Sequence, residues 1–241
     1  MLKNREVKVL DGTPNYFAIE DIGPLSSEDD FQSLLQETVN YVTKEGIPSV
    51  SITLDEKQAA DQKLVRILKG AGFKKHAVQY FYKRDLRDLK DINQDFLEIK
   101  SIDEVGDIFF EKCWEAASSL SLNAGASLTI DEEFEGMKSE LGADYRKSCL
   151  VALYKGEVIG VTMPHIEPGT TDEGRLFYFG LVPEYRGKGL AARLHRWSLQ
   201  YLKELGATHY IGATGHQNLP MQKVFQKNGC RPFGTKVTFR L

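Results

Sequence analysis

Cysteine is scarce in this chain: three residues in 241, Cys113, Cys149 and Cys230, widely spaced and with no CxxC pair. That excludes a disulfide framework and a thiolate zinc cage, and no histidine pair with a third ligand suggests another metal site. Long apolar runs are also missing. Nothing approaches the ~20 residues of a membrane span, and the opening MLKNREVKVLDG lacks the apolar core of a signal peptide. A reduced, cytoplasmic protein is expected, away from the membrane. Neither sign of charge dominates, with 31 basic against 34 acidic residues and a formal charge of −3. A general nucleic-acid coat is therefore not expected, although a local basic patch is compatible with these numbers.

What is present is ordinary for a globular chain: 41% hydrophobic and 27% charged residues. A chain of this size buries roughly 70% of its extended surface, ample for a core without staples. Periodicity predicts strands at 6–10 and 16–22, then a helix carrying Phe31, Leu34, Leu35, Val39 and Val42, capped by Ser26 or Ser27 and ended by Gly46. A strand at 49–54, a helix at 56–70 and a strand at 74–85 follow. The charged stretch 86–95 (LRDLKDINQD) reads as a boundary, giving units 1–95 and 96–241.

In the second unit a strand, a helix at 103–118 and a small-residue loop, SSLSLNAGASLT, lead to a helix at 131–141. A hairpin pairs 148–154 with 157–166. Then come a strand at 175–182, a helix at 189–205, a strand at 208–214, a helix at 219–228 and a strand at 233–241. The order strand, helix, strand, helix, strand over 16–86 thus recurs over 175–241. Gly46 and Gly206 close the first helix of each run, and Gly72 and Gly229 follow the second. An internal duplication is expected.

The chemistry concentrates in FGLVPEYRGKGLAARLHRW. A strand ends, a Pro-containing corner follows, and a Gly-rich turn opens a helix. The first turn of a helix presents backbone N–H groups without intrahelical partners, and the dipole adds positive potential, so an anion is favoured there. Gly187 and Gly189 allow positive φ and close approach. Arg186, Lys188, Arg193 and Arg196 against Glu184, four bases to one acid, leave a local charge of +3. No GKS or GKT follows, and no GxGxxG with a downstream acid, so neither a Walker loop nor a dinucleotide fingerprint is present.

The run Arg186-Gly-Lys-Gly-Leu-Ala191 fits R/Q-x-x-G-x-G/A, and Asn218, a helix and Gly229 lie downstream of the next strand. This pattern resembles the GNAT N-acetyltransferase superfamily over 96–241, and the N-terminal run resembles a partial, degenerate unit of the same plan, as in tandem GNAT proteins. The resemblance implies a mixed α/β (α+β) fold, a central sheet flanked by helices. It implies acetyl-CoA as co-substrate and an amine acceptor, small molecule or peptide, that attacks the thioester directly. Aminoglycosides, polyamines, amino acids and protein N-termini all stay open. It implies that Arg186, Gly187, Lys188, Gly189, Leu190 and Ala191 surround the pyrophosphate, with the amides from Gly187 to Ala191 holding it. Leu181 and Val182 would pair with the pantetheine and supply an oxyanion amide, and Asn218 would bind the pantetheine arm.

The sequence departs from that pattern at Phe225, where the family often carries a tyrosine that protonates the leaving thiolate. Tyr178, Tyr185 or water would have to substitute. No glutamate lies in IGAT before Asn218, so His216 is the expected base, with His165 and Glu167 as alternatives. An acyl-CoA-binding regulatory module without turnover is the rival reading. The N-terminal counterpart of the Gly-rich turn, PLSSEDDFQSLLQ, has no glycine and three acids, Glu28, Asp29 and Asp30, which would repel a pyrophosphate.

Overall fold

The computed structural model describes residues 7–23, 27–90, 97–122 and 129–241. Two compact units emerge, one comprising Met1–Phe81 with Gly234–Leu241 and the other Tyr82–Phe233. The expected cap Ser26, the stretch 91–95 of the boundary and residues 123–128 of the small-residue loop lie outside the described residues.

In the first unit, β1 (Lys8–Gly12) and β2 (Tyr16–Asp21) form an antiparallel hairpin, and β2 runs parallel to β3 (Ser49–Asp55). Between them lies α1 (Glu28–Glu45), capped by Ser27, whose side chain accepts from Asp30 N, and closed by Gly46 at φ 68°. Phe31, Leu34 and Leu35 of α1 bury against Ile19, Ile52 and Leu54 of the strands. The expected helix at 56–70 is two helices, α2 (Glu56–Ala60) and α3 (Gln62–Gly70). Asp61 breaks it: its side chain accepts from Lys63 N, which favours a cap over a continued helix. β4 (Lys74–Asp85) follows and crosses the division between the units.

The second unit holds β5 (Glu98–Ser101), α4 (Ile102–Val105), α5 (Asp107–Ser118), α6 (Ile130–Leu141), α7 (Tyr145–Ser148), β6 (Leu150–Tyr154), β7 (Glu157–Ile166), β8 (Glu173–Leu181), α8 (Leu190–Glu204), β9 (His209–Gly215) and α9 (Leu219–Lys227). Its strands run in the order β5-β6-β7-β8-β9, antiparallel except for the parallel pair β8 and β9. The helix expected at 103–118 is interrupted by Gly106 at φ 82°, which separates α4 from α5. One face of this sheet packs Val151, Val161 and Met163 against Phe110, Trp114 and Met137. The other packs Ile159 and Leu181 against Leu190 and Leu194 of α8.

The last strand, β10 (Arg231–Arg240), leaves the second unit at Phe233. Its remainder pairs antiparallel with β3, and Val237 and Phe239 join the first unit's core. Residues 86–90 belong to the second unit: Leu86 and Leu89 are buried, Leu86 N donates to Thr208 O, and Lys203 Nζ donates to Leu89 O. The compact units therefore divide within β4, upstream of the charged stretch. Each unit contains a mixed sheet with a parallel pair flanking a helix, the α/β class expected. Gly46, Gly206, Gly72 and Gly229 all adopt positive φ. Among the described residues no helix is long and apolar enough to cross a membrane, and no group of three or more His, Cys, Asp or Glu could hold a metal ion.

Candidate functional site

β8 and β9 pair only at Glu173 with His209 and Gly174 with Tyr210 among the described residues. Past those residues the two parallel strands separate, and β8 bulges. Thr162 of β7 faces Phe179 and Pro164 faces Leu176, so Phe177 and Tyr178 together oppose Met163. A bulge inserts an unpaired residue, bends the strand and raises its twist, which accounts for a gap opening between β8 and β9. Val182 N donates to Ile159 O at 2.9 Å, fixing the alternation of β8. Leu181 and Phe179 therefore turn their main-chain groups away from β7, toward the gap.

Parallel strands put their carboxyl ends at one edge. Val182 and the Gly-rich turn follow β8, and His216 and Asn218 follow β9, so the predicted residues converge at the open end of the gap. A short 3-10 turn, Pro183–Tyr185, leads to Gly187 and Gly189, at φ 74° and 79°. A Cβ at either glycine would meet nothing within 4 Å; the left-handed backbone, not crowding, calls for glycine there. Gly189 is the N-cap of α8, with no side-chain cap and no acid in the first turn. The first turn of α8 thus has no side chain of its own to answer its amides, the arrangement that suits a bound phosphate. Leu190 is buried and Lys188 is exposed, its ammonium 5.1 Å from the Tyr185 ring centroid. Ala191 lies half-buried beside Leu190.

Two of the predicted contact residues have protein partners in this geometry. The Arg186 guanidinium is turned to main-chain carbonyls. Its Nε donates to Leu181 O (2.9 Å), one terminal nitrogen to Leu120 O (3.0 Å) and the other to Ala117 O (3.0 Å) and Ser119 O (2.6 Å). Four of five guanidinium donors are engaged by main-chain carbonyls, three of them at the carboxyl end of α5, where a cation is favoured. Arg186 is a clamp between β8 and α5. The Val182 amide is likewise taken by β7 and the Leu181 carbonyl by Arg186, so the Leu181 amide and the Phe179 main-chain groups are the ones that face the gap. Asn218 caps α9, accepting from Met221 N at 3.2 Å.

The candidate acid and base positions also separate. His216 is exposed at the open end, where its main-chain oxygen accepts from Gln222 Nε2. His165 sits on β7 opposite Arg175, next to the β8 bulge, and is buried. Its Nδ1 lies 3.4 Å from Met163 O and its Nε2 3.5 Å from Glu167 Oε2. Burial lowers its pKa against the opposing pull of Met163 O and Glu167. Arg175 pairs with Glu173 at 2.6 Å and stands 3.8 Å from Glu167, which fixes the carboxylates around the histidine. Phe225 is buried against Tyr82, His195 and Tyr210, with ring centroids 4.7, 5.4 and 6.3 Å away. Sequence reasoning missed Tyr210: a Cβ at Gly212 would collide with its hydroxyl and lie 3.0 Å from Phe225 Cε1. That glycine two residues along the same strand was the available signal. Tyr178 donates to Ala117 O at 3.0 Å, and burial pushes its pKa up to about 12.

The sequence profile of the "Acetyltransferase (GNAT) family" matches residues 112–230. This stretch is a GNAT-family domain. It contains the bulge, the Gly-rich turn, α8, β9 and α9. Solved structures similar to the whole chain share its GNAT fold at low identity. A GCN5-related N-acetyltransferase from Sphaerobacter thermophilus superposes with a TM-score of 0.69 at 14% identity, over 98% of this chain and 75% of that one. A tandem GNAT protein from the clavulanic acid biosynthesis pathway gives 0.64 at 15%, over 98% and 78%. A GNAT-family acetyltransferase from Colwellia psychrerythraea gives 0.62 at 15%, over 100% and 83%. No curated protein matches the sequence.

Proposed function

We propose that the protein transfers an acetyl group from acetyl-CoA to an amine, with the co-substrate held in the GNAT domain. The observation that carries this reading is the gap between β8 and β9 leading into the uncapped head of α8. A slot with exposed main-chain groups suits an extended amide-bearing arm, and the helix head suits the pyrophosphate at its end. Acetyl-CoA supplies an acetyl thioester activated toward amines.

This chain's residues would then act as follows. The amides of Gly187 through Ala191 hold the pyrophosphate, and Lys188 adds positive potential. The Leu181 and Phe179 main chain binds the pantetheine arm in the manner of an added strand. Asn218 keeps α9 anchored at the mouth of the gap. His165, rather than His216, takes the proton from the acceptor amine. The contact of Nδ1 with Met163 O favours the tautomer protonated there, leaving Nε2 to accept. The resulting imidazolium is stabilised by Glu167. Because burial lowers the pKa, His165 is neutral and competent at neutral pH.

The burial of Phe225, which carries no transferable proton, favours a second reading: a protein that binds acetyl-CoA without turnover. Thiol release on mixing with acetyl-CoA and a panel of amines separates the two. We expect release with at least one amine, on a pH limb below 6.5 that His165→Ala removes and His216→Ala leaves in place. Binding without release under every amine would select the second reading.

A further inference from the structure

Far along α5 from the Arg186 clamp, the helix presents apolar side chains to water. Ile108 is 73% exposed and Phe109 46%. Two hollows flank them, of about 550 and 570 Å³, and both are bordered by Ile108 and Lys112. The larger lies between α5 and α6, with Ile130 and Phe134 on its far wall. Helix faces of soluble proteins are rarely apolar outward in this way; adjacent exposed apolar side chains beside a groove mark a surface that meets a partner.

The rim of the groove is predominantly acidic. Glu111, Glu115, Asp131 and Glu135 stand against Lys112. Lys138 answers Glu135 and leans over the Phe134 ring at 4.6 Å. Glu111 is a carboxyl among carboxyls: burial and its neighbours Asp131 and Asp107 raise its pKa. Like charges packed this way repel unless a cation answers them.

We infer that the α5–α6 groove docks a basic, amphipathic polypeptide segment, with an apolar side chain over Ile108 and Phe109 and Lys or Arg side chains against Glu111, Glu115 and Asp131. The two halves of the observation select this occupant together. A small polyamine would satisfy the carboxylates and leave Ile108 and Phe109 in water. A second copy of this chain docking through the same face would set acidic rim against acidic rim across a two-fold axis, because an isologous interface opposes each patch to itself. A neutral apolar helix would desolvate the carboxylates without partners. This inference goes beyond acetyl transfer and does not depend on acetyl-CoA binding.

The test is fluorescence anisotropy of the full chain with a short labelled peptide of repeating Leu-Leu-Lys-Lys, with a Ser-Ser-Lys-Lys repeat of equal charge and spermine as competitors. Saturable binding is expected, weakened at least tenfold for the Ser repeat and displaced only weakly by spermine. The Glu111→Lys/Glu115→Lys variant should weaken it at least tenfold and flatten its salt dependence. Ile108→Ser should weaken it several-fold, and because Ile108 is exposed the fold should survive, as circular dichroism and melting would verify. Absence of saturable binding, equal affinity for the Ser repeat, or indifference to both substitutions in folded protein would overturn the proposal. Concentration-dependent dimerisation abolished by Ile108→Ser would also overturn it, by giving the face to a second copy. Acetyl-CoA calorimetry on the same variants keeps this outcome distinct from the fate of the acetyltransferase reading: both variants should bind acetyl-CoA as the wild type does.

Discussion

The chain contains the same local sentence twice, strand–helix–parallel strand, and ends it differently at the head of the helix. At α1, Ser27 caps the first turn and Glu28, Asp29 and Asp30 fill it with negative charge. At α8, Gly189 offers no side-chain cap, the first turn holds no acid, and Gly187 and Gly189 keep the approach open. Both helices solve the same problem of unpaired N–H groups and an unanswered dipole. The first solves it internally. The second has no such internal answer. Under the proposed function, withholding the usual cap is what makes the anion site, and the fold around it can stay the same.

The comparison breaks most sharply at Gly189. Gly189→Glu places an acid at the head of α8, as in α1, and forces a side chain into φ 79°. Acetyl-CoA affinity should fall by at least about 100-fold, or roughly 2.7 kcal/mol, through charge repulsion and bulk. Calorimetry of the folded variant checks it. Next in size is Arg186→Gln. It removes a guanidinium engaged by Leu181, Ala117, Ser119 and Leu120 carbonyls. A loss of about 2 kcal/mol, or roughly 6 °C in Tm, is expected. A pyrophosphate ligand in the same place would instead lose affinity with little change in Tm.

A third difference lies one turn further along. α1 buries Leu34 and Leu35, whereas α8 buries His195, whose Nδ1 accepts from Asn228 Nδ2 at 2.9 Å. Burial drops its pKa from 6.5 to about 3. Between those values the unfolded chain holds the proton and the folded chain does not, so stability falls as pH falls through this window. Thermal melts from pH 6.5 to 4 should fall more steeply for the wild type than for His195→Phe. Phe225→Tyr should cost about 1–2 kcal/mol, because it adds a hydroxyl within the ring cluster of Tyr82, His195 and Tyr210; chemical denaturation measures it. The smallest effect is expected at the other helix head. Ser27→Ala should cost about 1 kcal/mol of stability and leave acetyl-CoA affinity unchanged.

Much of this was legible in the sequence because glycine and periodicity are local signals. The positive φ of Gly46, Gly72, Gly187, Gly189, Gly206 and Gly229 matches the turns read from punctuation alone. The breaks at Asp61 and Gly106 were weaker signals, since one capping side chain and one glycine had to override a continuing helical period. Most partners of Arg186 were hidden, because three of its four acceptors lie more than 60 residues away at the tail of α5. Arg175 likewise faces His165 only through strand pairing, and Tyr210 meets Phe225 only in the folded core. The return of Val237 and Phe239 to the first unit's core could not be read from composition, which carries no pairing partner.

The central claim is that one helix head of the two receives the co-substrate. Titration of the full chain with acetyl-CoA by isothermal calorimetry tests it most directly. The account predicts one site per chain, lost in Gly189→Glu and retained in Ser27→Ala. Two equivalent sites, no binding, or a single site indifferent to Gly189→Glu would contradict it.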